Sequence, residues 1–130
     1  MTLPQTPHWV VRAGIATPDS LQIGYTEHRA VTGLYGFSVQ YAPGITLDAL
    51  AQAGRFKNGQ ISYADVNNLA QVLGHLGYTI RLVPSPGHGH HHTFAVLYTA
   101  NGSMLQSLPH VAAVALSITF QRMPNPHQMP

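Results

Sequence analysis

The chain has no cysteine, which excludes disulfides, thiolate metal ligands and a cysteine nucleophile. Charge is almost as scarce: Asp, Glu, Lys and Arg together make 8% of 130 residues, about a third of the usual share. Six basic residues against four acidic ones leave a net charge of +2. Arg12, Arg29, Arg55, Lys57, Arg81 and Arg122 are scattered along the chain, which is not the clustered basic face that duplex nucleic acid demands. No apolar run approaches the roughly 20 residues needed to span a bilayer. Nor does the amino terminus, with Pro4 and Pro7, show a charged region followed by an apolar one. The expectation is a cytoplasmic protein without membrane contact; oligomeric state is left open.

Histidine is what the chain has in excess. Four of its nine imidazoles, His88, His90, His91 and His92, fall within five positions of the stretch Pro86 to Val96. Residues 91 to 99 are rich in β-branched and aromatic types and stand between Gly89 and Asn101-Gly102, so they read as a strand with the histidines at its mouth. Alternation puts His91 and Thr93 on one side and His92 and Phe94 on the other. The bulkier second set is expected to face the core, leaving His91 and Thr93 at the rim of a cleft.

The remaining elements follow from periodicity and punctuation. Trp9 to Ile15 reads as a strand, Pro18-Asp19-Ser20 as a turn, and Leu21 to Thr26 as a weaker strand. Leu34 to Tyr41 is a further strand. Thr46 caps a short helix over Leu47 to Ala53, with Gly54 at its stop. Ser62 and Asp65 have the spacing of a capping box before a helix carrying Val66, Leu69, Ala70, Leu73 and Leu76. Tyr78 to Val83 is a strand that forms a hairpin with the histidine strand, and Asn101-Gly102 turns the chain back. Val111 to Phe120 is a last, largely apolar helix. Together these predict an α+β domain over residues 8–122, a mostly antiparallel sheet with two or three helices against it, between a loose lead-in (1–7) and a tail (123–130).

Four chemistries fit the histidines. A metal-independent ribonuclease needs a base, an acid and a donor to the phosphate. His91 and Thr93, or His92, would begin such a site. His28, His88 or His90 would supply the second proton carrier, Arg12, Arg81 or Ser38 would complete the pocket, and Tyr35 could stack a base. Transition-metal binding by His88, His90 and His92 is the second, adventitious rather than structural because neighbouring strand residues point apart. No resident cofactor is expected. The third follows from Arg12 in Val10-Val11-Arg12-Ala13-Gly14 and Ser38 in Gly36-Phe37-Ser38-Val39. That combination resembles the first two motifs of ADP-ribosyltransferases, an arginine ending one strand and a serine starting another. The glutamate commonly placed later is absent, since nothing acidic follows Asp65. The fourth is a non-catalytic regulatory or effector-associated module that reads a small ligand or a protein partner. His8, His75, His110 and His127 are isolated and read as structural.

Gly36 to Gln40, the helix begun at Ile61-Ser62, the Pro86 to Phe94 strand entrance, and Leu116 to Phe120 with Pro124-Asn125-Pro126 resemble, in that order, the toxin modules at the carboxyl ends of bacterial polymorphic toxins. The likeness covers residues 33–126. It implies bacterial origin and a toxin-like or effector role on RNA or a nucleotide, with His91 or His92 and Thr93 at the matched positions.

Overall fold

The structure, a computed structural model, describes residues 8–27, 29, 33, 35–54, 59–85 and 91–124. Six strands form one sheet: β1 (Trp9–Ala13), β2 (Phe37–Gln40), β3 (Gln60–Asp65), β4 (Tyr78–Pro84), β5 (His92–Thr99) and β6 (Gln121–Pro124). Their order is β4-β5-β2-β1-β3-β6, and every strand pairing is antiparallel. Among the described residues four helices accompany them: α1 (Pro18–Glu27), α2 (Leu47–Gly54), α3 (Val66–His75) and α4 (His110–Thr119). The α+β class and the antiparallel sheet are as the sequence implies, and the described residues hold one helix more than expected.

That helix is α1, where a turn and a weak strand were expected. Ile23, Tyr25 and Thr26 favour strands locally, but Leu21, Gly24 and Tyr25 are buried at helical spacing. The start is well made: Thr17 Oγ1 accepts from Ser20 N at 3.1 Å, Ser20 Oγ accepts from Thr17 N at 3.0 Å, and Pro18 opens the first turn. Ser62 also differs from expectation. It lies inside β3, and Asp65 is itself the cap of α3, accepting from Asn67 N at 2.8 Å. At the other end, Gln121–Pro124 pairs with β3 instead of starting a tail at residue 123. Pro124 is tolerated because β6 is an edge strand. The expected strand from Leu34 begins only at Phe37, after Gly36 at φ +131°, and Leu34 lies outside the described residues.

Cross-strand register assigns the two faces of the sheet. Val10, Phe37, Val39, Ala64, Ala95 and Leu97 point one way and form the main core with Leu21 and Tyr25 of α1, Leu69 and Leu73 of α3, and Ala112, Ala113 and Leu116 of α4. Burying each large side chain there stabilises the fold by about 1.5–3 kcal/mol. The opposite face carries a smaller cluster in which Leu50 and Ala51 of α2 cover Val11 and Ile61. Strand β5 is enclosed on both sides, with Thr93 to Leu97 all buried. The Asn101-Gly102 turn returns the chain as expected, Leu105 N donating to Leu97 O at 2.9 Å.

Candidate active site at the seam between β1 and β2

Strand β1 pairs with β3 over five residues, but with β2 through the single bridge Val11↔Gln40. Beyond that bridge the ladder is replaced by a side chain. Arg12 Nη1 donates to the Ser38 carbonyl at 2.8 Å, and Arg12 Nη2 donates to the Ser20 carbonyl in α1 at 3.2 Å. The guanidinium also lies over the Phe37 ring, 5.7 Å from its centroid. Gly24 lets α1 come this close, because a Cβ there would stand 2.7 Å from Arg12 Nη2.

Burial lowers the Arg12 pKa below its ordinary value, and the charge of Glu27 partly offsets this. Guanidinium stays charged throughout the accessible range. Two of its five N–H groups have partners among the described residues, both of them neutral carbonyls. Among the described residues the half-buried guanidinium thus donates to neutral carbonyls, with the charge of Glu27 acting on it.

Ser38 connects this cation to the opposite face of the sheet. Its carbonyl takes Arg12, while its hydroxyl lies 3.2 Å from His92 Nε2. His92 opens β5, directly across from Gln40, and its ring stands edge-on to Phe94 at 5.1 Å between centroids. Val11, Arg12, Ala13, Ser38, Val39, Gln40 and His92 line a cavity of about 240 Å³. Three residues singled out from the sequence, Arg12, Ser38 and His92, thus meet at one place.

Other candidates fall elsewhere. Thr93 does not look out with His91: it is buried, and its hydroxyl reaches the carbonyls of His91 at 3.1 Å and Tyr41 at 3.4 Å. The expectation failed because both faces of β5 are covered, so alternation could not tell a wet side from a dry one. His91 precedes the strand in a left-handed conformation, φ +65°. Tyr35 stacks on Tyr25 at 6.3 Å and beneath Arg29 at 5.3 Å, against the main core. Arg81 lies over Tyr98 at 5.3 Å on the exposed edge strand β4. His28, His88 and His90 lie outside the described residues, and with them two members of the adventitious metal set. Among the described residues no group of three or more His, Asp or Glu could hold a metal ion.

Gln40 was missed. It stands two residues beyond Ser38 and therefore on the same face of β2, a signal available from alternation alone. The arrangement sets a guanidinium, a hydroxyl and an imidazole around a small cavity. Among the described residues no helix is long and apolar enough to cross a membrane. No family model, no curated protein and no solved structure matches the chain.

Proposed function

We propose that the seam between β1 and β2 binds a nicotinamide dinucleotide and that the protein is an ADP-ribosyltransferase-like effector. The observation that carries this reading is the double engagement of Ser38, with Arg12 on its carbonyl and His92 on its hydroxyl, at the edge of the cavity. The resemblance to ADP-ribosyltransferases implies an arginine ending one strand and a serine starting another, and here those two strands are neighbours. The ribonuclease reading asks for two proton carriers, and one imidazole lines the cavity among the described residues.

The chemistry suits these groups. Cleaving the bond between nicotinamide and ribose sends the bonding electron pair to the ring nitrogen, so the pyridinium leaves as neutral nicotinamide. Positive charge develops on the ribosyl carbon until an acceptor's lone pair closes a new bond there, and the acceptor loses a proton. Among the described residues Arg12 has three N–H groups without a partner, which would take the pyrophosphate. Ser38 orients the ribose through its hydroxyl. His92 takes the place of the missing glutamate as the group that accepts the acceptor's proton, which requires its neutral form.

The test is release of nicotinamide from the dinucleotide by the purified protein, with transfer of labelled ADP-ribose to components of a bacterial lysate. Arg12→Lys and His92→Ala should each lower turnover by about 100-fold or more, with the far-ultraviolet circular dichroism unchanged. Cleavage of labelled RNA without nicotinamide release would overturn the reading in favour of the ribonuclease. A folded protein that turns over neither would point to the binding module.

A further inference from the structure

We infer that Gln40 reads the carboxamide of the leaving nicotinamide and so decides which dinucleotide the site accepts; this rests on the reading above. Gln40 lines the cavity, and its Oε1 is buried with no hydrogen-bond partner among the described residues. Buried acceptors in folded proteins nearly always have a donor, and an orphan at a cavity wall marks the place of a missing one. Among the described residues, register explains why no strand neighbour supplies it. Gln40 sits between Val11 of β1 and His92 of β5 on one face, Val11 is apolar, and the His92 ring turns toward Ser38.

The shape of the donor follows from the Gln40 side chain and the cavity. A primary amide presents an acceptor and a donor side by side, and its full complement is a second primary amide, N–H to O in both directions. Ribose hydroxyls need no such partner, because Ser38 and His92 already offer them a hydroxyl and an imidazole. A volume of about 240 Å³ takes one flat ring with its carboxamide but not a whole dinucleotide. Val11 and Ala13 give the ring an apolar wall. The end of the ligand that enters is therefore the one that leaves in the reaction, with the scissile bond beside Ser38 and His92.

The discriminating substrate is nicotinic acid adenine dinucleotide, which differs by a carboxylate in place of the carboxamide. A carboxylate offers no N–H and sets an anion against the Gln40 oxygen. The wild-type protein should favour the amide substrate by about tenfold or more in kcat/KM. Gln40→Leu keeps the bulk, removes the amide, and should bring the two substrates to within about threefold, mainly by loss on the amide substrate. Equal wild-type rates on both substrates would overturn the inference while leaving the dinucleotide reading intact, whether or not the variant folds. A preference that survives unchanged in folded Gln40→Leu would do the same. Failure to cleave either substrate would remove both.

Discussion

The two sides of β1 are built differently. Toward β3 it forms a five-residue ladder, and the one polar side chain buried there, Ser62, has its hydroxyl fully used: it accepts from Ala16 N at 2.8 Å and donates to Gly14 O at 2.8 Å. Toward β2 there is a single bridge, then a guanidinium standing where backbone bonds would be, then a cavity. Beside the completed ladder, the Ser62 hydroxyl is occupied in both directions by the backbone. Among the described residues the interrupted one leaves three N–H groups of Arg12 and the Gln40 oxygen without partners, and sets an imidazole beside a hydroxyl. The comparison teaches that this sheet places its chemistry where pairing stops.

The largest effect is expected from removing what fills the seam. Arg12→Ala would take the guanidinium from the Ser38 and Ser20 carbonyls and open space beside Phe37. With about 1–3 kcal/mol for each buried group left unpaired, we expect a loss of about 3 kcal/mol in urea unfolding. Arg12→Lys keeps the charge but cannot reach two carbonyls from a planar fork. It should recover most of the stability and little of the turnover. Equal stability of Arg12→Ala and wild type would mean that the strands hold together without the guanidinium.

The two serines give the next and more direct contrast. Ser62→Ala removes both partners of a buried backbone N–H and carbonyl and should cost about 2 kcal/mol, with turnover unchanged per folded molecule. Ser38→Ala touches only a hydroxyl at the cavity and should cost under about 1 kcal/mol while lowering turnover. Denaturation midpoints and nicotinamide release on the same pair of variants separate the two roles. The distinction fails if both serines affect stability and turnover alike.

How far this organisation could be read from the sequence depends on how local its causes are. Arg12 and Ser38 were legible as strand residues with neighbouring glycines, and Thr46 as a cap, Ala49 N donating to its hydroxyl at 3.2 Å. Helix α1 was hidden because β-branched and aromatic residues outweighed a Thr17–Ser20 cap that was there to be seen. The seam could not be read at all. It depends on which strands flank β1, and 26 residues separate Arg12 from Ser38. Thr93 was misplaced for a related reason, since only the assembled layers show that β5 has no open face. His92, expected on the inward set with Phe94, is half-buried.

A third prediction concerns the helical layer that covers β5 and β2. The Tyr25 hydroxyl donates to Leu105 O at 2.8 Å and accepts from Leu97 N at 3.2 Å, joining α1 to β5 through the main core. Burial raises its pKa above 10.0, against the effect of the Leu97 backbone bond. The unfolded chain therefore releases this proton first as pH rises. The stabilisation is complete below 10.0 and is lost as pH climbs through the higher folded value. Tyr25→Phe should cost about 1–2 kcal/mol near neutrality and flatten the alkaline fall in stability. Denaturant midpoints from about pH 8 to about pH 11 would reveal it; identical slopes in both proteins would show that some other group sets the alkaline limit.

The smallest effect belongs to the outer surface of the helical layer, and it tests whether the seam acts alone. Ile118 of α4 is 77% exposed, while Ala112, Ala113 and Leu116 of the same helix are buried in the main core. The His92 ring and the Ser38 hydroxyl are on the opposite face of the sheet from that core, so nothing at Ile118 reaches the cavity. Ile118→Ser should change stability by no more than about 0.5 kcal/mol and leave nicotinamide release as it was. The site proposed here needs only the strands and the Arg12 anchor on α1. A fall in turnover with stability preserved would therefore show that the substrate, or the acceptor of its ribosyl group, also meets the helices, and the seam would no longer account for function by itself.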